Sequence, residues 1–318
     1  MGDKNLVICD YELGYANALA ENILEREELG VKVYIFSSTE KIMHFLENNK
    51  IHILVMDESF YEESVPYPQA EVYFTLVQKN GDFTEERIKQ IYKYQNSNKI
   101  IQDIFETYVA RTNETVLKGH THNQTRLEAV YSPVRGIGKT KFAIAWGKEL
   151  ARNHKVLYLN MEEYPGFEMN GPDETKMNLG DLLYFMKQKT GDFGLRVQAA
   201  VQKIGNMDYV PPIYLASDVK EVSEDEWIEF LEKVIAIGLY EHIILDLGEC
   251  VQGLFSILMS CDCIYTPTAE GESERQKIFR YEQCLERMGL EKILRITQQF
   301  VLPDNVEGYV KQRMKEVK

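Results

Sequence analysis

Residues 131–140 read Tyr-Ser-Pro-Val-Arg-Gly-Ile-Gly-Lys-Thr, and the spacing Gly-x-Gly-Lys-Thr has a chemical use. Gly136 and Gly138 let the backbone turn tightly and aim its N–H groups at an anion, with Arg135, Ile137 and Lys141 as the neighbouring members of the loop. The Lys139 ammonium can reach β- and γ-phosphate oxygens, and the Thr140 hydroxyl can hold Mg2+. The full phosphate-loop pattern has glycine where this chain has Pro133, so only its second half is intact. An ordinary glycine turn opening a helix would share the glycines but has no need of Lys and Thr at those two places.

A second candidate lies far along the chain. Residues 242–245 form an apolar run that ends in Asp246, and a lone carboxylate at the end of a buried strand can bind a metal or a metal-held water. The alternative use of Asp246 is to cap a following helix. A third set is Asp10, Asp57 and Lys93, each placed just after a strand-like run.

These groups need a frame that brings strand ends together. Before the phosphate loop stands a short apolar run, residues 127–131; after it, Phe142, Ala143, Ala145, Trp146 and Leu150 recur at helical spacing. The first third of the chain alternates in the same way. Strands are expected at 6–9, 31–36, 51–56, 72–77 and 87–92, with helices over 15–28, 39–48 and 99–110. Downstream, strands are expected at 156–159, 211–216, 242–245, 263–267 and 293–298, with helices over 179–189, 196–204, 224–237 and 274–287. Such alternation predicts α/β architecture, two doubly wound parallel-sheet domains at 1–112 and 125–318; the first resembles a receiver-like, flavodoxin-like domain and the second, opened by the phosphate loop, a P-loop NTPase domain. The polar stretch 113–124, with His120 and His122, reads as the linker, its histidines solvated rather than metal-bound.

Composition sets the outer limits. The chain has 318 residues, 44% hydrophobic and 27% charged, the balance of a globular protein. A net charge of -14 argues against nonspecific nucleic-acid binding. Five cysteines without zinc spacing read as reduced, mostly buried small hydrophobes. The start Met-Gly-Asp-Lys is unlike a signal peptide, and a cytoplasmic location is expected.

Two resemblances follow from these residues. The order Asp10, Asp57, Lys93 resembles a response-regulator receiver domain, which implies a phosphoacceptor at Asp57. Receivers carry two adjacent acids after the first strand, whereas this chain has Asp10-Tyr11, so a receiver fold used for docking is the preferred reading. The whole chain resembles the MinD/ParA class of P-loop ATPases, in the TadZ/CpaE-like branch that joins a receiver-like domain to a MinD-like ATPase. The class loop Lys-Gly-Gly-x-Gly-Lys-Thr aligns with residues 134–140, and its first lysine, which reaches a dimer partner's nucleotide, is Val134 here.

The resemblance implies ATP/ADP and Mg2+ as ligands, with Thr140 and Asp246 on the metal. Glu162 stands where the class has the Asp that orients attacking water. Its extra methylene displaces the carboxylate, and slow hydrolysis is expected. Adenine contacts are implied only as the region 298–304. The implied partners are pilus or secretion assembly proteins and a second copy of the chain, with recruitment to the inner face of the membrane or a cell pole. The tail 305–318 carries an apolar stripe without Trp, Phe or Leu and is expected to pack on its own domain rather than on lipid.

Three functions fit the sequence: an ATP-switched positioning protein, a two-component regulator controlled at Asp57, and a scaffold whose nucleotide site is vestigial. The joint presence of Lys139, Thr140 and Asp246 favours the first.

Overall fold

The computed structural model describes residues 3–60, 68–79, 88–118, 125–165, 177–189 and 191–316. The chain forms two compact units, Met1–Gly119 and His120–Lys318, both mixed α/β with mainly parallel sheets. The linker histidines His120 and His122 lie outside the described residues.

The first unit runs β1 (Lys4–Cys9), α1 (Leu13–Leu24), β2 (Val31–Phe36), α2 (Thr39–Leu46), β3 (Ile51–Asp57), a 3-10 turn (Glu58–Phe60), β4 (Ala70–Val77), β5 (Ile88–Tyr92) and α3 (Ser97–Thr112). Its five strands are all parallel in the order β2-β1-β3-β4-β5, one of the common doubly wound orders. The central strands are continuous apolar runs because both faces are covered: Leu6, Val7 and Ile8 in β1 and Ile53, Leu54 and Val55 in β3 are fully buried.

The stretch expected to be linker begins differently. Residues 113–118 pack on the first unit: Gly30 N–H donates to the Val116 carbonyl at 2.7 Å, Lys118 N–H to the Glu28 carbonyl at 2.7 Å, and Val116 is buried. A mostly polar sequence whose apolar residues are only Val116 and Leu117 hides this, since the contact is made largely by backbone.

The second unit contains β6 (Arg126–Val130), α4 (Lys139–Leu150), β7 (Val156–Met161), α5 (Leu179–Gln188), α6 (Phe193–Ala200), β8 (Gln202–Ile204), β9 (Met207–Val210), α7 (Ala216–Glu221), α8 (Glu224–Ile237), β10 (His242–Leu247), α9 (Leu254–Ser260), β11 (Cys263–Thr268), α10 (Glu272–Arg287), α11 (Glu291–Ile296), β12 (Thr297–Val301) and α12 (Val306–Glu316). The sheet order is β12-β11-β6-β10-β7-β9-β8, parallel except for the β8–β9 hairpin.

Three expectations shift here. The strand expected at 211–216 is instead β9, ending at Val210, because Pro211 and Pro212 have no N–H for a ladder. The helix expected over 196–204 stops at Ala200, and β8 turns into β9 through Gly205, whose φ of +66° suits a hairpin turn. The last strand starts at Thr297, since residues 293–296 belong to α11.

Two packing features hold the phosphate loop's helix. Gly147 lets α4 approach the sheet: a Cβ there would stand 2.2 Å from Met207 Sδ and 3.0 Å from Ile244 Cδ1. On the other side, Val306 and Val310 of α12 are buried in the cluster containing Phe142 and Trp146, with Tyr309 and Met314 packed against it. The C-terminal stripe therefore covers its own unit. Among the described residues no helix is long and apolar enough to cross a membrane.

Candidate functional site

The β6–α4 connection forms the cradle. Gly136 and Gly138 have φ of +70° and +82°, the left-handed region that glycine enters without a Cβ penalty. Gly138 is the residue before the first turn of α4, so the helix's unbonded N–H groups open toward the loop. Ser132 steadies the entry, its hydroxyl accepting from Val134 N–H at 3.1 Å. Val134 itself is buried, while Arg135 projects outward and makes a bidentate ion pair with Glu249. Lys141 is exposed on the first turn of α4. Leu302 reaches the loop, its Cδ2 lying 3.2 Å from where a Cβ on Gly138 would stand, so part of the 298–304 region adjoins the cradle.

Strand register supplies the rest. Asp246 of β10 is level with Val130 of β6 on one side and Asn160 of β7 on the other, which brings three strand ends to one edge. Lys139 Nζ is 2.9 Å from Glu162 Oε1 and donates to the Leu247 carbonyl at 2.9 Å. Thr140 Oγ1 donates to Glu162 Oε2 at 3.2 Å. One carboxylate thus holds both candidate side chains at the start of α4. Glu162 is itself positioned by its backbone N–H, which donates to Asn160 Oδ1 at 3.0 Å.

Asp246 is fully buried. Its Oδ2 accepts from the Tyr158 hydroxyl at 2.9 Å and from Asn160 Nδ2 at 3.3 Å, whereas its Oδ1 has no hydrogen-bond partner among the described residues. Burial, then the charge of Glu162, pushes its carboxyl up to about 7, with Thr140, Tyr158 and Lys139 pulling the other way. A buried carboxylate oxygen lacking a donor, beside a hydroxyl, is a hard-oxygen pair that suits Mg2+, which completes its octahedron with waters and phosphate oxygens. Thr140 and Asp246 would hold such an ion, and it would neutralise charge on bound phosphates. Among the described residues no three histidine, cysteine, aspartate or glutamate side chains converge as a metal site.

The first unit gathers its own trio. Asp10 follows β1, Asp57 ends β3 and Lys93 follows β5; Lys93 Nζ lies 2.7 Å from Asp57 Oδ2, 2.8 Å from Asp10 Oδ2 and 3.4 Å from Glu12 Oε1. Lys93 is 1% exposed. Burial alone would lower its ammonium, but Asp10 and Asp57 outweigh that and raise it. Burial likewise opposes the Asp57 charge, yet donors from Lys93 and Ser59 hold that carboxyl below its usual value. At Asp10 burial wins and the carboxyl is raised. Tyr11, where a receiver has its second acid, stacks on Phe60 with ring centroids 4.0 Å apart.

Tyr158 and Asn160, which serve Asp246, and Glu249, which holds Arg135, go beyond the site residues expected from the sequence. Alternation along β7 carries a signal, since polar atoms at 158 and 160 share one face of a buried strand.

No protein-family model matches the chain, and no curated protein matches it. Among solved structures it is similar to a plasmid partition protein of Borrelia burgdorferi bound to AMPPNP, at 18% identity over 61% of this chain and 83% of that one, TM-score 0.42. It is also similar to a ParA family ATPase from Chlorobium tepidum TLS, at 14% identity over 59% and 90%, TM-score 0.45. A third is the MinC:MinD cell division protein complex of Aquifex aeolicus, at 18% identity over 56% and 68%, TM-score 0.41. The structural neighbours are thus of ParA and MinD type.

Proposed function

We propose that this chain is an ATP-binding, ParA/MinD-like positioning protein in which nucleotide with Mg2+ acts as a conformational switch and is hydrolysed slowly. The observation that carries the reading is the convergence of the Gly136–Gly138 turn, Lys139, Thr140 and the unpartnered Asp246 oxygen at one edge of the sheet. Backbone N–H groups and Lys139 take the phosphates; Thr140 and Asp246 take the ion. Glu162, one methylene longer than the Asp of the class, is tied to Lys139 and Thr140, which supports weak water activation. The TadZ/CpaE-like role, with pilus or secretion assembly proteins as partners, a homodimer, and a cytoplasmic protein recruited to the membrane's inner face or a cell pole, rests on the resemblance.

The test is stability with and without Mg-ATP in the wild type and in Lys139→Ala, with ADP release followed in the same samples. Ligand at 100 times its Kd should add about 2.7 kcal/mol to the native state. A gain present in the wild type, lost in the variant and accompanied by little ADP supports the switch. No gain in either protein rejects it and leaves a scaffold.

A second reading draws on the Asp10–Asp57–Lys93 trio, which has the constituents of a receiver's acid pocket. It predicts stable label from a small-molecule phosphodonor, lost in Asp57→Asn. With Asp57 ion-paired to a buried lysine and Tyr11 in place of the second acid, unlabelled protein is the expected result.

A further inference from the structure

The side chains a phosphate ligand needs are already engaged by carboxylates. Lys139 spends one N–H on Glu162 and another on the Leu247 carbonyl, and the Thr140 hydroxyl donates to the other oxygen of Glu162. A second acid, Glu249, holds Arg135. Two more stand close by: Asp246, fully buried, and Glu163, whose Oε2 is 2.9 Å from where a Cβ on Gly248 would lie. Gly248 is also tight against the Glu162 backbone, its Cβ position 3.1 Å from Glu162 Cα.

Four carboxylates around two engaged cations repel a bare polyphosphate. A phosphate oxygen that takes the third Lys139 N–H lies beside Glu162, and one that takes the N–H now donated to Glu162 displaces it; either way the carboxylate faces an anion at short range. A divalent ion on the phosphates removes both penalties: it lowers the ligand's charge, and it supplies a cation for the displaced carboxylate.

We infer that Glu162 is a specificity-determining latch that admits the metal-complexed nucleoside polyphosphate and rejects the metal-free one. This rests on the nucleotide-binding reading above. The latch works through competition for Lys139 and Thr140, so removing its charge while keeping its shape should relax the requirement for metal. Glu249, on an exposed arginine, should matter much less.

The experiment is a titration of ATP followed by tryptophan or fluorescent-nucleotide signal, once with Mg2+ and once with EDTA. It is done on the wild type, Glu162→Gln, Glu249→Gln and Lys139→Ala, with urea melts confirming folded protein. For the wild type, removing metal should weaken ATP binding at least about 100-fold. For Glu162→Gln, metal-free ATP should bind at least about tenfold more tightly than to the wild type, and the metal dependence should shrink accordingly. Equal metal-free affinities of wild type and Glu162→Gln would overturn the latch while leaving nucleotide binding standing. An equal gain in Glu249→Gln would also overturn it, since the effect would then be bulk charge. Failure of every protein to bind ATP even with Mg2+ would remove the nucleotide-binding reading and the latch with it.

Discussion

Two lysines, one in each unit, face acids beyond the carboxyl end of a parallel sheet, Lys93 directly after β5 and Lys139 at the start of α4, and their surroundings differ. Lys93 is 1% exposed and contacts three carboxylates, two of them on the ends of neighbouring strands. Lys139, the first residue of α4, is 11% exposed and contacts one carboxylate and one carbonyl, next to a loop whose Gly136 and Gly138 have positive φ. The buried lysine is consumed by its frame. On the nucleotide-binding reading, Lys139 keeps a rival that a ligand can displace. Burial and the number of fixed partners, more than the residue type, separate a structural ion pair from a binding group.

The largest effect should come from breaking the buried set. Lys93→Met leaves Asp10 and Asp57 facing one another without a cation, and urea unfolding of the first unit should show a loss of about 3–5 kcal/mol. Lys139→Ala, by contrast, leaves a partly solvated Glu162 and should cost under about 1.5 kcal/mol. A triple change, Asp10→Leu with Asp57→Leu and Lys93→Met, should recover most of the loss, because an apolar set needs no ionic compensation. Equal losses for the two single lysine variants would erase the distinction drawn between the lysines.

Buried acids allow the same contrast inside the second unit. Glu128 is 2% exposed and fully served: Trp146 Nε1 donates at 2.8 Å and His242 Nδ1 lies at 2.7 Å. Burial would raise its carboxyl, but His242 and Trp146 outweigh it and hold it below the usual 4.5. Such a group contributes stability above its unfolded value that disappears as pH falls through the folded one. Glu128→Gln should therefore destabilise by about 1–3 kcal/mol at pH 7, with the difference fading below pH 4.5. Asp246 has an oxygen without a donor, and Asp246→Asn keeps an acceptor for Tyr158 and Asn160 while removing the buried charge. Measured in EDTA at pH 8, that variant should gain about 1–3 kcal/mol while losing Mg-ATP binding, the exchange of stability for function expected of a binding group.

What can be read from the sequence follows the same division. The candidate cradle is legible because its pattern is local: loop, lysine and threonine are contiguous and the helix after them is strongly periodic. Asp246 is legible because a buried strand has little use for a single acid at its end unless that acid caps or binds something. The Tyr158–Asn160–Asp246 network depends on strand register between β7 and β10, which no local pattern encodes. Residues 113–118 look like linker because they pair through backbone atoms. The β8–β9 hairpin escapes the periodicity reading although Gly205-Asn206 between two short runs is a hairpin signal. The last strand is expected too early because Ile293, Leu294 and Ile296 fit a buried strand as well as a helical turn.

The smallest expected effect tests the loop that makes Lys139 available. Gly136 and Gly138 both have positive φ, so alanine at either position carries a backbone strain of about 1 kcal/mol. Their surroundings differ: nothing lies within 4 Å of a Cβ on Gly136, whereas one on Gly138 meets Leu302 Cδ2 at 3.2 Å. Gly136→Ala should thus show the backbone strain alone. Gly138→Ala should add a few tenths of a kcal/mol for moving the tip of Leu302, a flexible side chain that can give way. Truncating that neighbour separates the two contributions. In a Leu302→Ala background the cost of Gly138→Ala should fall to that of Gly136→Ala, and the double-mutant cycle reads the coupling directly. An unchanged cost would mean that the 298–304 region does not press on the loop, and that the backbone alone dictates glycine at 138.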